Sequence, residues 1–210
     1  MAVGALYNFR VRGIEQIPWL YDSCCAVSER CGLARWRRWL GEEAHGRVLD
    51  IGCGTGRNLG YLPSGTIGLD PSWPSLLAAR RRAPRARLIA ASAEALPFRD
   101  GTFDTVISGL VFCSVADAGG GLREVRRILR AEGELRAMEH VRATSAWRAR
   151  WQDRLQPAWT WLTGGCRPNR DTESAVEAAG FVIEPRGRRA HGTMRRFAAR
   201  PSAASSRDDV

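Results

Sequence analysis

The stretch Val48-Leu49-Asp50-Ile51-Gly52-Cys53-Gly54-Thr55-Gly56-Arg57-Asn58 constrains the fold more than any other part of this chain. An apolar strand runs into an aspartate and then into Gly-x-Gly-x-Gly, with a helix start expected after it. Glycines so placed permit a tight turn and let backbone N–H groups approach a ligand at a helix N-terminus. The spacing is not the GxGxxG of dinucleotide folds, and no Lys-Ser/Thr pair follows as a phosphate-binding loop requires. NAD and ATP are therefore disfavoured. A second strand ends at Ile67-Gly68-Leu69-Asp70, twenty residues after Asp50. An acid there lies beside the first loop and can accept from both hydroxyls of a ribose.

The same alternation continues along the chain. Short apolar or β-branched runs at 47–51, 66–69, 87–91, 105–110, 134–141, 181–185 and 194–199 are separated by helical patterns, among them 74–82, 121–129 and 171–179. In the second of these, Val125, Ile128 and Leu129 share one face while Arg123, Arg126, Arg127 and Arg130 face water. Repeated βα units predict an α/β fold: a doubly wound, mostly parallel, seven-stranded Rossmann-like sheet, its closing strands free to pair antiparallel at the edge. Residues 1–46 are expected to form an N-terminal helical cap, with a helix over about 21–43. Residues 47–200 are expected to form the ligand-binding domain, and 201–210 a disordered tail.

A chain of 210 residues suits one domain with a sizeable core. Its net charge of +10 comes from 32 basic residues, all arginine, scattered from Arg10 to Arg207. That distribution is read as coding bias from a GC-rich genome rather than as a nucleic-acid patch, and no specific nucleic-acid partner is expected. Six cysteines show no CxxC pair, so reduced core thiols and no metal are expected. No run approaches the ~20 apolar residues of a membrane-spanning helix and no signal pattern opens the chain, which predicts a cytoplasmic protein.

The glycine loop and Asp70 resemble the motif I and acidic-loop elements of class I methyltransferases that use S-adenosylmethionine (SAM). Ala93-Glu94-Ala95-Leu96-Pro97-Phe98, followed by Asp100-Gly101-Thr102-Phe103-Asp104, is similar to the segment after strand 3 in that superfamily, where a carboxylate often meets the adenine amino group. Relatives often have Gly-Asp where this chain has Ala91-Ser92, which leaves Ser92, the Ala93 backbone and Glu94 as the adenine contacts. The resemblance implies SAM as cofactor, S-adenosylhomocysteine as product, and a cofactor site built from Asp50, Gly52, Cys53, Gly54, Gly56, Asn58, Asp70, Pro71, Ser92, Ala93, Glu94, Ser108 and Gly109.

A narrower resemblance lies in the second half. Leu110-Val111-Phe112-Cys113-Ser114-Val115, Glu139-His140-Val141, Trp151-Gln152, Pro157-x-Trp159, Gly165-Cys166 and Arg170-Asp171-Thr172 together look like the methyltransferase-like thiol S-methyltransferases, a branch near the ubiquinone/menaquinone methyltransferases. The implied acceptor is a small molecule, a thiol first, methylated by in-line SN2 displacement; alignment of reacting groups at about 3 Å can supply ~7–11 kcal/mol. The thiolate is the nucleophile, so a base or cation near it matters. His140 and Arg170 are the catalytic candidates. Tyr7, Tyr21, Cys113, Trp151, Trp159, Cys166 and Asn169 are the acceptor-side candidates. His140 can equally be a hydrogen-bonded strand-end residue, and the tryptophans can be packing. The alternatives are C- or O-methylation of a quinone or phenol, then arsenite methylation or a SAM/RNA-binding module. Ser108-Gly109-Leu110-Val111 stands where base-methylating enzymes carry Asn-Pro-Pro-Tyr, which argues against the last. Animal members carry an N-terminal membrane helix; here the opening stretch 6–20 is read as at most a weak membrane-surface contact. The oligomeric state is left open.

Overall fold

The computed structural model describes residues 13–202. An eight-stranded sheet runs through it, made of β1 (Val48–Ile51), β2 (Ile67–Asp70), β3 (Arg87–Ala90), β4 (Phe103–Gly109), β5 (Leu129–His140), β6 (Phe181–Ile183), β7 (Arg189–His191) and β8 (Met194–Pro201). The order is β3-β2-β1-β4-β5-β8-β6, with β7 hydrogen-bonded to β8 off this path. The first five strands pair parallel, and β8 runs antiparallel to β5, β6 and β7. The mostly parallel α/β sheet is as expected, but with eight strands rather than seven. The addition, β7, is an Arg-Ala-His segment without apolar alternation, so nothing local marks it as a strand.

Among the described residues six α-helices flank the sheet: α1 (Pro18–Ser28), α2 (Ala34–Glu42), α3 (Trp73–Arg82), α4 (Ala118–Ile128), α5 (Ala146–Thr163) and α6 (Thr172–Ala178). Two N-terminal helices replace the single one expected over 21–43, because Gly32 adopts φ +116°, outside the right-handed helical region. The helix expected after the glycine loop does not form either. Gly52, Gly54 and Gly56 have φ +60°, +53° and +80°, and only a 3-10 turn at Leu59–Tyr61 follows. A right-handed helix cannot be built through left-handed residues, and the loop closes on itself as a series of turns, the N–H groups of Cys53 and Gly56 donating to the Leu69 and Cys53 carbonyls. Of the expected tail, residues 201 and 202 are held in the fold: β8 extends to Pro201, and the Ser202 N–H donates to the Gly180 carbonyl at 2.9 Å; residues 203–210 lie outside the described residues.

Alternate residues along the strands feed two cores. Leu49, Val106 and Leu135 pack with Leu122, Val125 and Ile128 of α4 and Val176 of α6. Their neighbours Val48, Ile107 and Met138 point the other way, against Trp39 and Leu40 of α2. Arg136 lies fully buried between the sheet and α2. It donates to the carbonyls of Trp39 and Leu40 and to Glu134 and Glu43, and its guanidinium stacks 4.2 Å from the Trp39 ring.

Helix α1 is tied to the glycine loop by charge. Thr55 donates to Asp22 at 2.7 Å, Arg57 pairs with both Asp22 and Glu29, and Arg82 of α3 reaches Asp22 at 2.8 Å. The hydrogen bond from Arg57 holds the Glu29 carboxyl below the usual range. Burial works against Asp22, yet hydrogen bonds from Arg82, Thr55 and Arg57 hold it low as well. Depressed carboxylate pKa values stabilise the fold above the unfolded value of about 4, and that stability is lost as pH falls through the folded values. The Arg57→Gln variant is therefore expected to melt below wild type at about pH 6–7, with a smaller difference at about pH 3, below the unfolded carboxylate range. Thermal unfolding at both pH values checks this; a difference independent of pH would assign Arg57 another role. No helix among the described residues is long and apolar enough to cross a membrane.

Candidate active site

A cavity of about 970 Å³ lies at the carboxyl ends of the parallel strands, walled on its other side by the N-terminal segment. Pockets that enclose organic ligands run to roughly 300–1,000 Å³. Strand order reverses at β1, between β2 and β4, and such switch points are where open α/β sheets place their ligands.

At one end the wall is made by Gly52, Gly54, Asp70, Pro71, Ser92, Ala93, Glu94 and Gly109, eight of the residues expected there. Asp70 closes β2 and is 8% exposed. Its Oδ2 accepts from the Gly54 N–H at 2.9 Å and its Oδ1 from the Ser72 N–H at 2.8 Å, so it holds the glycine loop to the next turn. Burial pushes its pKa up, and those two N–H bonds act against the rise. Gly54 has nothing within 4 Å of where a Cβ would sit except the Gly52 carbonyl at 4.0 Å. Glu94 accepts from the Asp117 N–H at 2.6 Å at the start of α4.

The other five expected cofactor residues do not line the cavity. Asp50 and Asn58 form a buried chain instead: Arg37 donates to Asn58 Oδ1 at 2.5 Å, and Asn58 Nδ2 donates to Asp50 Oδ1 at 3.0 Å. Burial pushes the Asp50 carboxyl up to about 7. Gly56 packs on Ala79 of α3, where a Cβ would come within 3.1 Å. Cys53 is buried against Gly68, and the Ser108 hydroxyl donates to Glu139 at 2.6 Å. All five support the loop from behind.

The opposite end of the cavity is lined by Glu15, Ser114, His140, Trp159 and Thr163, with Tyr21 of α1 on the wall. Ser114 donates to Glu15 at 3.1 Å, and burial pushes the Glu15 carboxyl up to about 7. His140 closes β5, its Nδ1 3.6 Å from Cys166 Sγ. Burial disfavours the charged ring, but the hydrogen bond to Cys166 carries its pKa above the ordinary value. The Cys113 and Cys166 thiols lie within 4.8 Å of each other; the nearness of Cys166 and burial push Cys113 up, while Cys166 is drawn down beside Cys113 and His140.

Loop 110–116, which makes this wall, is held from two sides. Glu139, fully buried, accepts from the Ser108 hydroxyl and from the N–H groups of Val111, Phe112 and Cys113 at 2.6–3.3 Å. Arg170 donates to the carbonyls of Phe112, Val115 and Ala116 at 2.5–3.5 Å. Between them Leu110 takes φ +65°, and among the described residues it alone does so without being glycine. Such backbone strain persists only where the surroundings over-determine it.

Arg170 therefore points at the loop's backbone and not into the cavity, contrary to the expectation that it faces the acceptor. Trp151 is 48% exposed and stacks edge-on against Trp147 on the outer face of α5. Asn169 donates to Asp153, which also pairs with Arg142, and lies away from the cavity. Tyr7 lies outside the described residues. Glu15, Ser114 and Glu139 were missed as site residues. Glu15 sits in a short 3-10 turn with no motif around it, so nothing local signals it.

The Methyltransferase domain family matches residues 49–137. The human thiol S-methyltransferase TMT1A is 34% identical over 172 residues, covering 77% of this chain and 70% of that protein. The chain belongs to the class I SAM-dependent methyltransferases. This methyltransferase is also 36% identical over 104 residues to the demethylmenaquinone methyltransferase of Roseiflexus castenholzii, covering 46% of this chain and 44% of that one. A SAM-dependent methyltransferase of Thermotoga maritima, described as a possible histamine N-methyltransferase, superposes with a TM-score of 0.70 at 22% identity, over 89% of this chain and 97% of its own. That likeness speaks for the fold. The enzyme uses SAM.

Proposed function

We propose that this methyltransferase transfers the methyl group of SAM to the sulfur of a small thiol. One observation carries the reading: a single cavity joins the Asp70 and glycine-loop end to an end lined by His140, Ser114 and Glu15, with the two thiols of Cys113 and Cys166 directly behind. The residues at the first end suit the cofactor. Asp70 uses one lone pair of each oxygen internally and keeps the others for the ribose hydroxyls. The open space at Gly54 admits the chain of the methionine part, and Ser92, Ala93 and Glu94 stand where the adenine edge is read. When bound, SAM supplies a methyl group on a sulfonium, a donor already activated for transfer.

This chain's own work is then positioning. The Glu139–Arg170 brace fixes loop 110–116, Tyr21 and Trp159 give the acceptor apolar faces, and the N-terminal segment excludes water. The resemblance to thiol S-methyltransferases supports sulfur as the acceptor atom. A second reading, methylation of a quinone-like ring, is favoured by the match to demethylmenaquinone methyltransferase. A panel of alkyl thiols, aryl thiols, phenols and quinols with labelled SAM separates the two. Thiols are expected to take the label fastest. A quinol or phenol labelled well ahead of every thiol would replace the S-methyltransferase reading with the second one.

A further inference from the structure

We infer that Cys113, His140 and Cys166 form a binding site for a thiophilic divalent cation, zinc above all, with its fourth coordination position open to the acceptor end of the cavity. One ligand atom from each lies within 4.8 Å of the other two, and the Cys166 Sγ to His140 Nδ1 distance is 3.6 Å. With Zn–S of about 2.3 Å and Zn–N of about 2.0–2.1 Å, a tetrahedral centre sets its ligands roughly 3.5–3.8 Å apart. The cluster is thus within a small side-chain adjustment of that spacing.

The donor set has the composition of a working site and not of a sealed one. Closed structural zinc sites have four protein ligands, whereas sites that handle substrate keep three, Cys₂His among them, and leave one position free. Two thiolates and a neutral imidazole also balance a dication. A buried metal centre of that kind carries no net charge into the core. Cys113 and Cys166 are each 1% exposed, while His140 and the neighbouring Ser114 line the cavity. Ser114 Oγ is 3.7 Å from Cys113 Sγ, which sets the cluster immediately behind the cavity wall.

The fold places the three donors with separate devices. Cys113 is fixed by its N–H to Glu139 and its carbonyl to the Arg167 N–H. His140 is the last residue of β5. Cys166 follows a turn through Gly164, which ends α5 at φ +89° with its Cα region packed on Gly13. Its N–H donates to Thr163 and its carbonyl accepts from Thr160.

The open position would take the acceptor sulfur as its thiolate, the proton passing to solvent. This role rests on the thiol reading above; the metal site itself rests only on the geometry of the three side chains. Tag-free enzyme exposed to zinc and desalted is expected to retain it stoichiometrically by elemental analysis. Cys113→Ser and Cys166→Ser are each expected to weaken zinc by more than the ~10–100-fold that loss of an outer-shell partner costs. Cys24→Ser, on α1, should retain it. SAM affinity by calorimetry reports whether each variant is folded. In case the variants do not fold, cobalt substitution of the wild type is expected to give a sulfur-to-cobalt charge-transfer band that shifts when a thiol is added.

No retained zinc in the wild type, or cobalt binding without that band, would overturn the site. Zinc retained by the Cys113→Ser/Cys166→Ser double variant would do the same. Zinc retained by an enzyme that labels no thiol would remove the thiol reading and leave the site standing. Thiol labelling by an enzyme that holds no zinc would do the reverse.

Discussion

The Glu139→Ala variant is expected to lose at least about 4 kcal/mol of folding stability, because three backbone N–H groups and the Ser108 hydroxyl lose their shared acceptor and each orphaned donor costs about 1–3 kcal/mol. Domains of this kind are stable by only about 5–15 kcal/mol, so the loss removes a large share of the total. Glu139→Gln keeps the shape and one oxygen. That oxygen can still serve Ser108, Val111 and Phe112, since Oε1 takes all three, but an amide NH₂ then faces the Cys113 N–H. A smaller loss is expected for it. Urea unfolding of both variants checks the order; a Glu139→Ala protein as stable as wild type would mean that water satisfies the loop. Leu110, which holds φ +65° beside these donors, is the first place where the relaxed backbone should show.

The second large effect is expected on the cofactor. Asp70→Ala should weaken SAM by about 1.5–3 kcal/mol for each charged hydrogen bond removed, roughly 10- to 150-fold per bond. The side chain also holds the Gly54 and Ser72 N–H groups, so part of the loss comes from a slackened loop. Asp70→Asn separates the two contributions, since it keeps an acceptor for one of those N–H groups and loses the charge. Gly54→Val is expected to be worse than either: its φ of +53° is strained for a β-branched residue, and its side chain would enter the open space of the cavity. Calorimetric titration of SAM into folded variants decides it. Unchanged affinity in Asp70→Ala would withdraw the ribose assignment.

The parts of this enzyme that could be read in advance are those encoded within a few residues of one another. The β1–β5 runs, α3, α4 and α6 each carry their own apolar period, and Asp70 announces itself by ending an apolar strand beside the glycine loop. Where a long-range demand wins, the local pattern misleads. The pattern after Gly56 looks helical, but the glycines before it are left-handed, Gly52 held against Val111 and Gly56 against α3, and only a short 3-10 turn follows. Arg170 looks like a cation for the acceptor because it opens a helix near the site; only the folded loop shows three carbonyls converging on it. The cluster of Cys113, His140 and Cys166 joins three segments with no recognisable ligand spacing, so a search for CxxC pairs passes over it. Asp50 and Asn58 were placed in the right neighbourhood, yet they are turned inward by Arg37 from a helix that no motif connects to them.

The Arg136 site bears on how this lysine-free chain can drift. Its guanidinium meets two carbonyls and two carboxylates at once and lies flat on an indole, which a planar fork of five donors can do. A lysine offers one nitrogen and no plane. Arg127, which spans the carbonyls of Leu96 and Phe98 as well as Glu124 and Asp100, makes the same demand. The arginines thus fall into two classes. Those such as Arg148, Arg150 and Arg154, for which no side-chain hydrogen bond is found among the described residues, are interchangeable with lysine under a shift in codon usage. Arg136, Arg127 and Arg170 are not, and a lysine-rich version of this fold would have to rebuild α2, the turn before β4 and loop 110–116 around some other anchor.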